Sequence, residues 1–163
     1  MEKTAWFYEN YRVKQNMLQN DVSSVQNIVS QWIAAFNAHD VMAIVAFYAD
    51  DAELFDSGMK HPRHGRQEIE HWFHERFNTM PSITYTPHDQ VLVAANRAAV
   101  TWTVNGRTPR RFGLSWLSRA FQADGVSVFA LHEGRIIKQR GYYDHLAVVE
   151  QVLPPLKLLP ARF

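Results

Sequence analysis

The sequence predicts an α+β fold in which helices come first and cover one face of a curved antiparallel sheet. Three observations carry this. Apolar residues recur at spacings of three and four in the first half of the chain. After Pro81 the pattern changes to short β-rich runs. Those runs are separated by turn signals, not by helical stretches, so neighbouring strands should pair as a meander. The 163 residues suffice for one domain with a full core, expected over residues 20–153 and followed by a Pro-rich apolar tail, 154–163.

Residues 1–19 read as a polar-aromatic lead-in, ordered in part by Trp6, Phe7, Tyr8 and Tyr11. Asn20-Asp21 offers an N-cap for an amphipathic helix carrying Val22, Val25, Ile28, Val29, Trp32, Ile33 and Phe36. Asn37 to Asp40 breaks it, and Asp40 can cap a short helix with Ile44, Phe47 and Tyr48. Asp50-Asp51 marks a turn before a strand, Ala52 to Asp56. A loop with Gly58, Pro62 and Gly65 leads to a third helix, Arg66 to Asn78, with Ile69, Trp72, Phe73 and Phe77 on one face. Strands are expected at Ser82 to Thr86, Gln90 to Ala94 and Ala98 to Val104, with turns at Asn96-Arg97 and Asn105-Gly106. A hairpin around Glu133-Gly134 joins Gly125 to Leu131 with Arg135 to Tyr142, and a last helix follows from His145 to Val152.

Composition narrows the function. The chain has 17 basic and 16 acidic side chains and a net charge of +1, so no strong field draws nucleic acid or acidic membranes. The absence of cysteine removes disulfides, thiolate nucleophiles and Cys-ligated zinc. No apolar run reaches membrane-spanning length, and the N-terminus lacks the apolar core of a signal peptide, so a cytoplasmic protein is expected. The 13% of aromatic residues signals a thick core or an apolar pocket.

Asp144 draws attention because it ends a strand beside Tyr142 and Tyr143. A carboxylate held there among apolar neighbours suits acid–base chemistry; equally, Asp is a preferred cap for the helix that starts beside it. Residues two apart on a strand share a face, which groups Arg140 with Tyr142 and Asp144, and Gln139 with Gly141 and Tyr143. If the first set faces the interior, it offers a cation, a phenol and a carboxylate to one cavity, and Arg140 would hold Asp144 ionised. Otherwise it is a surface ion pair and a cap. Asp56 ends the first strand before a glycine-containing loop and is either a turn former or a second carboxylate. His71 and His74 have a spacing that two metal ligands could use, but the apolar face of their helix turns them to solvent, and no metal or other cofactor is expected.

The segments Phe36-Asn37-Ala38-His39-Asp40, Phe47 to Ala52, Gly65-Arg66-Gln67-Glu68-Ile69, Gly125 to Phe129, and Glu133-Gly134-Arg135-Ile136 running on to Asp144 resemble, in their order and spacing, the nuclear transport factor 2-like superfamily. The resemblance covers roughly residues 22–153 and is best to its SnoaL-like polyketide cyclase and ketosteroid isomerase-like branch. It implies a cone of antiparallel sheet closed by the N-terminal helices. It also implies an acid–base role for Asp144, which falls on the aspartate of SnoaL-like cyclases, and for Asp56, which falls near the general base of the isomerase branch. The sequence departs from the cyclases at Gly106 to Phe112, where their histidine is missing. It departs from the limonene epoxide hydrolases at Ala98 to Val104, which holds no aspartate.

The expectation is a cofactor-free isomerase or aldol-type cyclase acting on an apolar carbonyl-containing small molecule. Asp144 and Asp56 would be the carboxylates, and Tyr142 or Tyr48 the donor to the enolate oxygen. Trp32, Phe36, Tyr48, Phe55, Trp72, Phe73, Trp102 and Phe129, with Arg140, are the candidate substrate contacts. The alternative is a non-catalytic module of the same fold that holds a hydrophobic ligand or a protein. A homodimer is expected on either reading, to cover the outer sheet face with Tyr143 and the apolar tail. Arg107, Arg110, Arg111 and Arg119 around Trp116 read as a solvated loop, a salt-bridged dimer contact or a contact for an anionic ligand other than nucleic acid.

Overall fold

Between the expected cap at Asn20-Asp21 and the end of the first amphipathic stretch there is no helix start. In the computed structural model, which describes residues 2–108 and 118–152, α1 runs unbroken over Glu2–Asn37. The reason is compositional: no glycine or proline precedes Gly58, and the lead-in is rich in good helix formers. Ser23 bonds back to the Gln19 carbonyl at 3.0 Å across the expected cap. The side chains of Trp6, Phe7, Tyr8 and Tyr11, the residues Arg110, Arg111 and Trp116, and the tail from Leu153 lie outside the described residues.

The remaining elements are α2 (Val41–Ala46), β1 (Tyr48–Asp56), β2 (Arg63–His64), α3 (Gly65–Thr79), β3 (Thr84–Pro87), β4 (Leu92–Ala94), β5 (Arg97–Arg107), β6 (Ala120–His132), β7 (Arg135–Tyr143) and α4 (His145–Val152). Asp40 caps α2 as expected, its carboxylate accepting from Ala43 N at 2.9 Å. His39, at φ 56, turns the chain out of α1. Asn37 then clamps the Tyr85 backbone through two bonds of 2.8 Å. The β6–β7 hairpin turns on Glu133 and Gly134, both at positive φ.

Two expected turns are strand. Asp50 and Asp51 lie inside β1, where the pairing with β7 shifts register between Tyr48 and Glu53 and so absorbs them. Asn105 and Gly106 lie inside β5, paired with Gln122 and Phe121. Gly106 is there for space, since a Cβ would stand 2.9 Å from Phe121 Cζ.

The strand order is β2-β1-β7-β6-β5-β3, with β4 also on β5. One pairing departs from the expected antiparallel sheet: β1 runs parallel to β7. The first strand is inserted beside the last, so the sheet is mixed, with α1 and α3 packed against its inner face.

Aromatic rings fill the space between helices and sheet. Phe36, Tyr85 and Trp102 form a stacked file, at centroid separations of 4.0 Å and 4.4 Å. Trp32 packs edge-on to Phe73 and Phe129. Trp32, Phe36, Tyr48, Phe73, Trp102 and Phe129 are each no more than 1% exposed. These six expected ligand contacts are therefore core.

Candidate functional site

Strand parity decides which carboxylate enters the interior. Along β1, Ala52, Leu54 and Asp56 are buried, and Asp56 is only 4% exposed although charged. Across the sheet, Asp56 is level with Gly141 and then Ser127. Gly141 is buried, so Tyr143, two residues on, shares its face. The inner face thus carries Asp56, Gly141 and Tyr143, and the outer face carries Arg140 and Tyr142.

This reverses the expected assignment. Arg140 pairs with Glu53 on the outer face, and Lys138 joins the same carboxylate at 3.2 Å. Partial burial works to raise the pKa of Glu53, but the Lys138 hydrogen bond and the charges of Arg140, Lys138 and His64 outweigh it and hold the group below the usual carboxylate range. Tyr142 is 46% exposed and packs beside Phe55, which also lies under the Arg140 guanidinium. Asp144 is exposed and accepts from Ala147 N at 3.0 Å, the geometry of a cap on α4. Arg140 and Tyr142 do share a side, as parity requires, but that side faces away from the interior, and Phe55 goes with them; Asp144 lies beyond the end of β7. Tyr143, expected outside, is inside.

At the inner end of β1 the chain turns on Asp56. Its Oδ1 accepts from Gly58 N at 2.9 Å, and its carbonyl accepts from Met59 N at 2.7 Å. Gly58 is the meeting point of the site. A Cβ there would stand 2.8 Å from the Tyr143 hydroxyl and 3.1 Å from Asp56 Oδ1, so both oxygens crowd one spot. Ser57 Oγ holds the strand end in place, 2.8 Å from His145 Nε2 and 3.4 Å from Tyr143 N.

α3 supplies the cation. Arg76 follows Ile69, Trp72 and Phe73 at helical spacing and so lies toward the apolar face of the helix. Its guanidinium has the phenols of Tyr85 and Tyr143 as hydrogen-bond partners and feels the charge of Asp56. Burial works against its positive charge, but Tyr85, Asp56 and Tyr143 together outweigh that and hold it more firmly protonated. The Tyr143 phenol is pushed up by burial and then by Asp56, with Arg76 opposing. Tyr143 is therefore a neutral donor, not a phenolate, at physiological pH. Tyr85 and Tyr48 are pushed up too, chiefly by burial. Tyr48 accepts from Trp32 Nε1 at 3.2 Å and donates to Gln139 Oε1, so its hydroxyl is committed to the core.

A cleft of about 670 Å³ opens onto this group. Gly58, Met59 and His61 line one side, and Trp72, Arg76 and Met80 the other. Gly58 and Arg76 are common to the cleft and to the Asp56–Tyr143 cluster. Of the aromatics expected to meet a ligand, Trp72 does line a cleft, and Arg76 lies 5.5 Å over its ring. His71 and His74 pair with Glu75 and Glu70 on the exposed side of α3. Among the described residues no group of three His, Cys, Asp or Glu side chains could hold a metal, and no helix is long and apolar enough to cross a membrane. Sequence reasoning missed Arg76, Tyr143 and Gly58. The available signals were an arginine at an apolar helical position and a glycine two residues before Tyr143.

The comparisons agree with this architecture. A protein from Catenulispora acidiphila with a ketosteroid isomerase-like fold, solved with trimethylamine, superposes with a TM-score of 0.68 at 18% identity, over 82% of this chain and 97% of that one. A protein from Shewanella denitrificans, assigned as a SnoaL-like polyketide cyclase, gives 0.70 at 15% identity, over 80% and 97%. An epoxide hydrolase/cyclase-like enzyme of pyran ring formation in the polyether salinomycin gives 0.67 at 21%, over 78% and 95%. At these identities the likeness speaks for the fold alone, which is that of the nuclear transport factor 2-like superfamily. The SnoaL-like domain matches residues 29–139, more than half of the chain. The protein belongs to the SnoaL-like domain family.

Proposed function

We propose that the protein is a cofactor-free acid–base enzyme that moves a proton alpha to a carbonyl of a small, largely apolar molecule, leading to isomerisation or aldol-type ring closure. Asp56 takes the proton, and the Tyr143 hydroxyl donates to the developing enolate oxygen. The observation that carries the reading is the convergence of the buried Asp56 carboxylate and the Tyr143 phenol on Gly58, at the edge of a cleft of ligand size. A neutral phenol beside a carboxylate is the pairing that proton abstraction with enolate stabilisation needs. Asp144, exposed and capping α4, is given no part in the proposed step.

The test is exchange of the α-protons of 1-tetralone in deuterated buffer, followed by NMR. Exchange above the buffer rate that falls by about 10²–10⁴-fold in Asp56→Asn supports the reading. Exchange no faster than buffer, with 1-tetralone and a panel of cyclic ketones, would sink it.

The second reading is a binding module of the same fold without chemistry. It is favoured by the aromatic file of Phe36, Tyr85 and Trp102, which fills the interior, and by the local turn in which Asp56 Oδ1 is engaged. On that reading ligands bind and Asp56→Asn changes no rate. On either reading we propose a homodimer over the outer face, where Val128, Ile137 and Tyr142 are exposed. Light scattering of the wild type and of Val128→Glu tests this, and an unchanged mass in the two would count against it.

A further inference from the structure

Arg76 carries more donor capacity than its neighbours use. Its Nε is buried and has no hydrogen-bond partner among the described residues. Its hydrogen-bond partners there, Tyr85 and Tyr143, are neutral phenols with one oxygen each. A guanidinium presents five N–H groups in a planar fork that matches a carboxylate, and a buried donor left unpaired is costly.

The cleft around it is basic where the whole chain is nearly neutral. Lys60, Arg63 and Arg76 line it against the single carboxylate of Glu75, with Asp56 behind Gly58 as the other acidic group facing Arg76. Its apolar wall is Met59, Trp72 and Met80, and the exposed part of the Trp72 ring offers a flat surface beside the guanidinium. A volume of about 670 Å³ is within the range of small-molecule sites.

We infer that this cleft takes a carboxylate attached to a flat apolar body, the carboxylate bound by Arg76 and the body laid against Trp72. Lys60 and Arg63 at the rim add attraction for an anion without fixing its geometry. If the acid–base reading holds, on which this last step rests, the substrate class is a keto acid. Its carboxylate is anchored at Arg76, and its carbonyl is delivered to Tyr143 and Asp56 at Gly58.

The experiment is isothermal titration of the protein with 2-naphthoate and, separately, with 2-naphthamide, which has the same shape and no charge. The Trp72 indole N–H resonance, assigned with Trp72→Phe, reports where each probe binds. The naphthoate should bind at least about tenfold more tightly than the amide and should move the Trp72 resonance. In Arg76→Gln the two probes should bind within about twofold of each other. If that variant does not fold, Lys60→Gln combined with Arg63→Gln serves instead and should lower the preference for naphthoate by several-fold. Equal affinities in the wild type, no binding of either probe, an unmoved Trp72 resonance, or a preference untouched by the substitutions would overturn the inference. Naphthoate binding at Trp72 together with no ketone proton exchange would uphold it and defeat only the acid–base reading.

Discussion

Tyr142 and Tyr143 are adjacent at the end of β7 and lie on opposite faces of the sheet. Tyr142 is 46% exposed beside Phe55, whereas Tyr143 bonds with Arg76 and stands against Gly58 beside Asp56. Only the second can take part in chemistry inside the fold. The two candidate carboxylates differ likewise, Asp56 buried at the end of β1 and Asp144 exposed at the start of α4, and the predictions below follow from this.

Asp56→Asn and Asp144→Ala should have opposite profiles. Asparagine at position 56 can still accept from Gly58 N, so the turn persists while the base is lost; turnover of a ketone should fall by about 10²–10⁴-fold with little change in melting. Asp144→Ala should cost about 1 kcal/mol of stability through the lost cap on α4 and leave the rate unchanged. Rate assays and urea unfolding on both variants decide this, and the reverse pattern would restore Asp144 as the base.

Gly58→Ala and Gly125→Ala should also separate function from folding. At position 58 the new methyl meets the Tyr143 hydroxyl and Asp56, so ligand binding and turnover should suffer while the rest of the fold is undisturbed. At position 125 a Cβ would stand 2.4 Å from Trp102 and 2.5 Å from the Tyr142 carbonyl, in the packed interior. The cost there should be about 1–3 kcal/mol or more, from overpacking. Urea midpoints of the two variants give the comparison, and a larger loss at Gly58 would contradict it.

Alkali should weaken the protein. Tyr48 and Tyr85 have folded-state pKa values raised above the ordinary value of 10.0 because burial penalises the phenolate. As pH rises, the unfolded chain releases these protons first. The stability they contribute is therefore full below pH 10 and is lost as pH rises beyond it, at about 1.4 kcal/mol per pH unit for each phenol. Urea unfolding at about pH 9 and about pH 11 should show the loss, and Tyr48→Phe should reduce the slope. A stability that is flat across this interval would mean that the buried phenols titrate normally.

Arg140→Gln should be nearly silent. Arg140 shares Glu53 with Lys138 on the outer face, where a partly exposed ion pair contributes about 0–1 kcal/mol and the carboxylate keeps its second partner. Ligand binding should be unchanged by calorimetry. A lost ligand site in this variant would place Arg140 in the interior after all.

Local sequence patterning determined that Arg140 and Tyr142 share a side, that Asp40 caps α2, and that the fold is α+β with a hairpin at Glu133-Gly134. These are local consequences of backbone geometry and side-chain preference, and they need no partner. Alternation is symmetric, however: it says which residues go together and not which set faces inward. That was decided by the parallel insertion of β1 beside β7, which sets Asp56 level with Gly141 and brings α3 over that face with Arg76. Eight aromatics looked alike as ligand contacts in the chain. Packing of α1 and α3 on the sheet put six of them in the core, turned Phe55 outward and left Trp72 in the cleft. Long-range pairing chose among arrangements that local patterning left equal, because the free energy of burying one sheet face instead of the other exists only once the helices are in place.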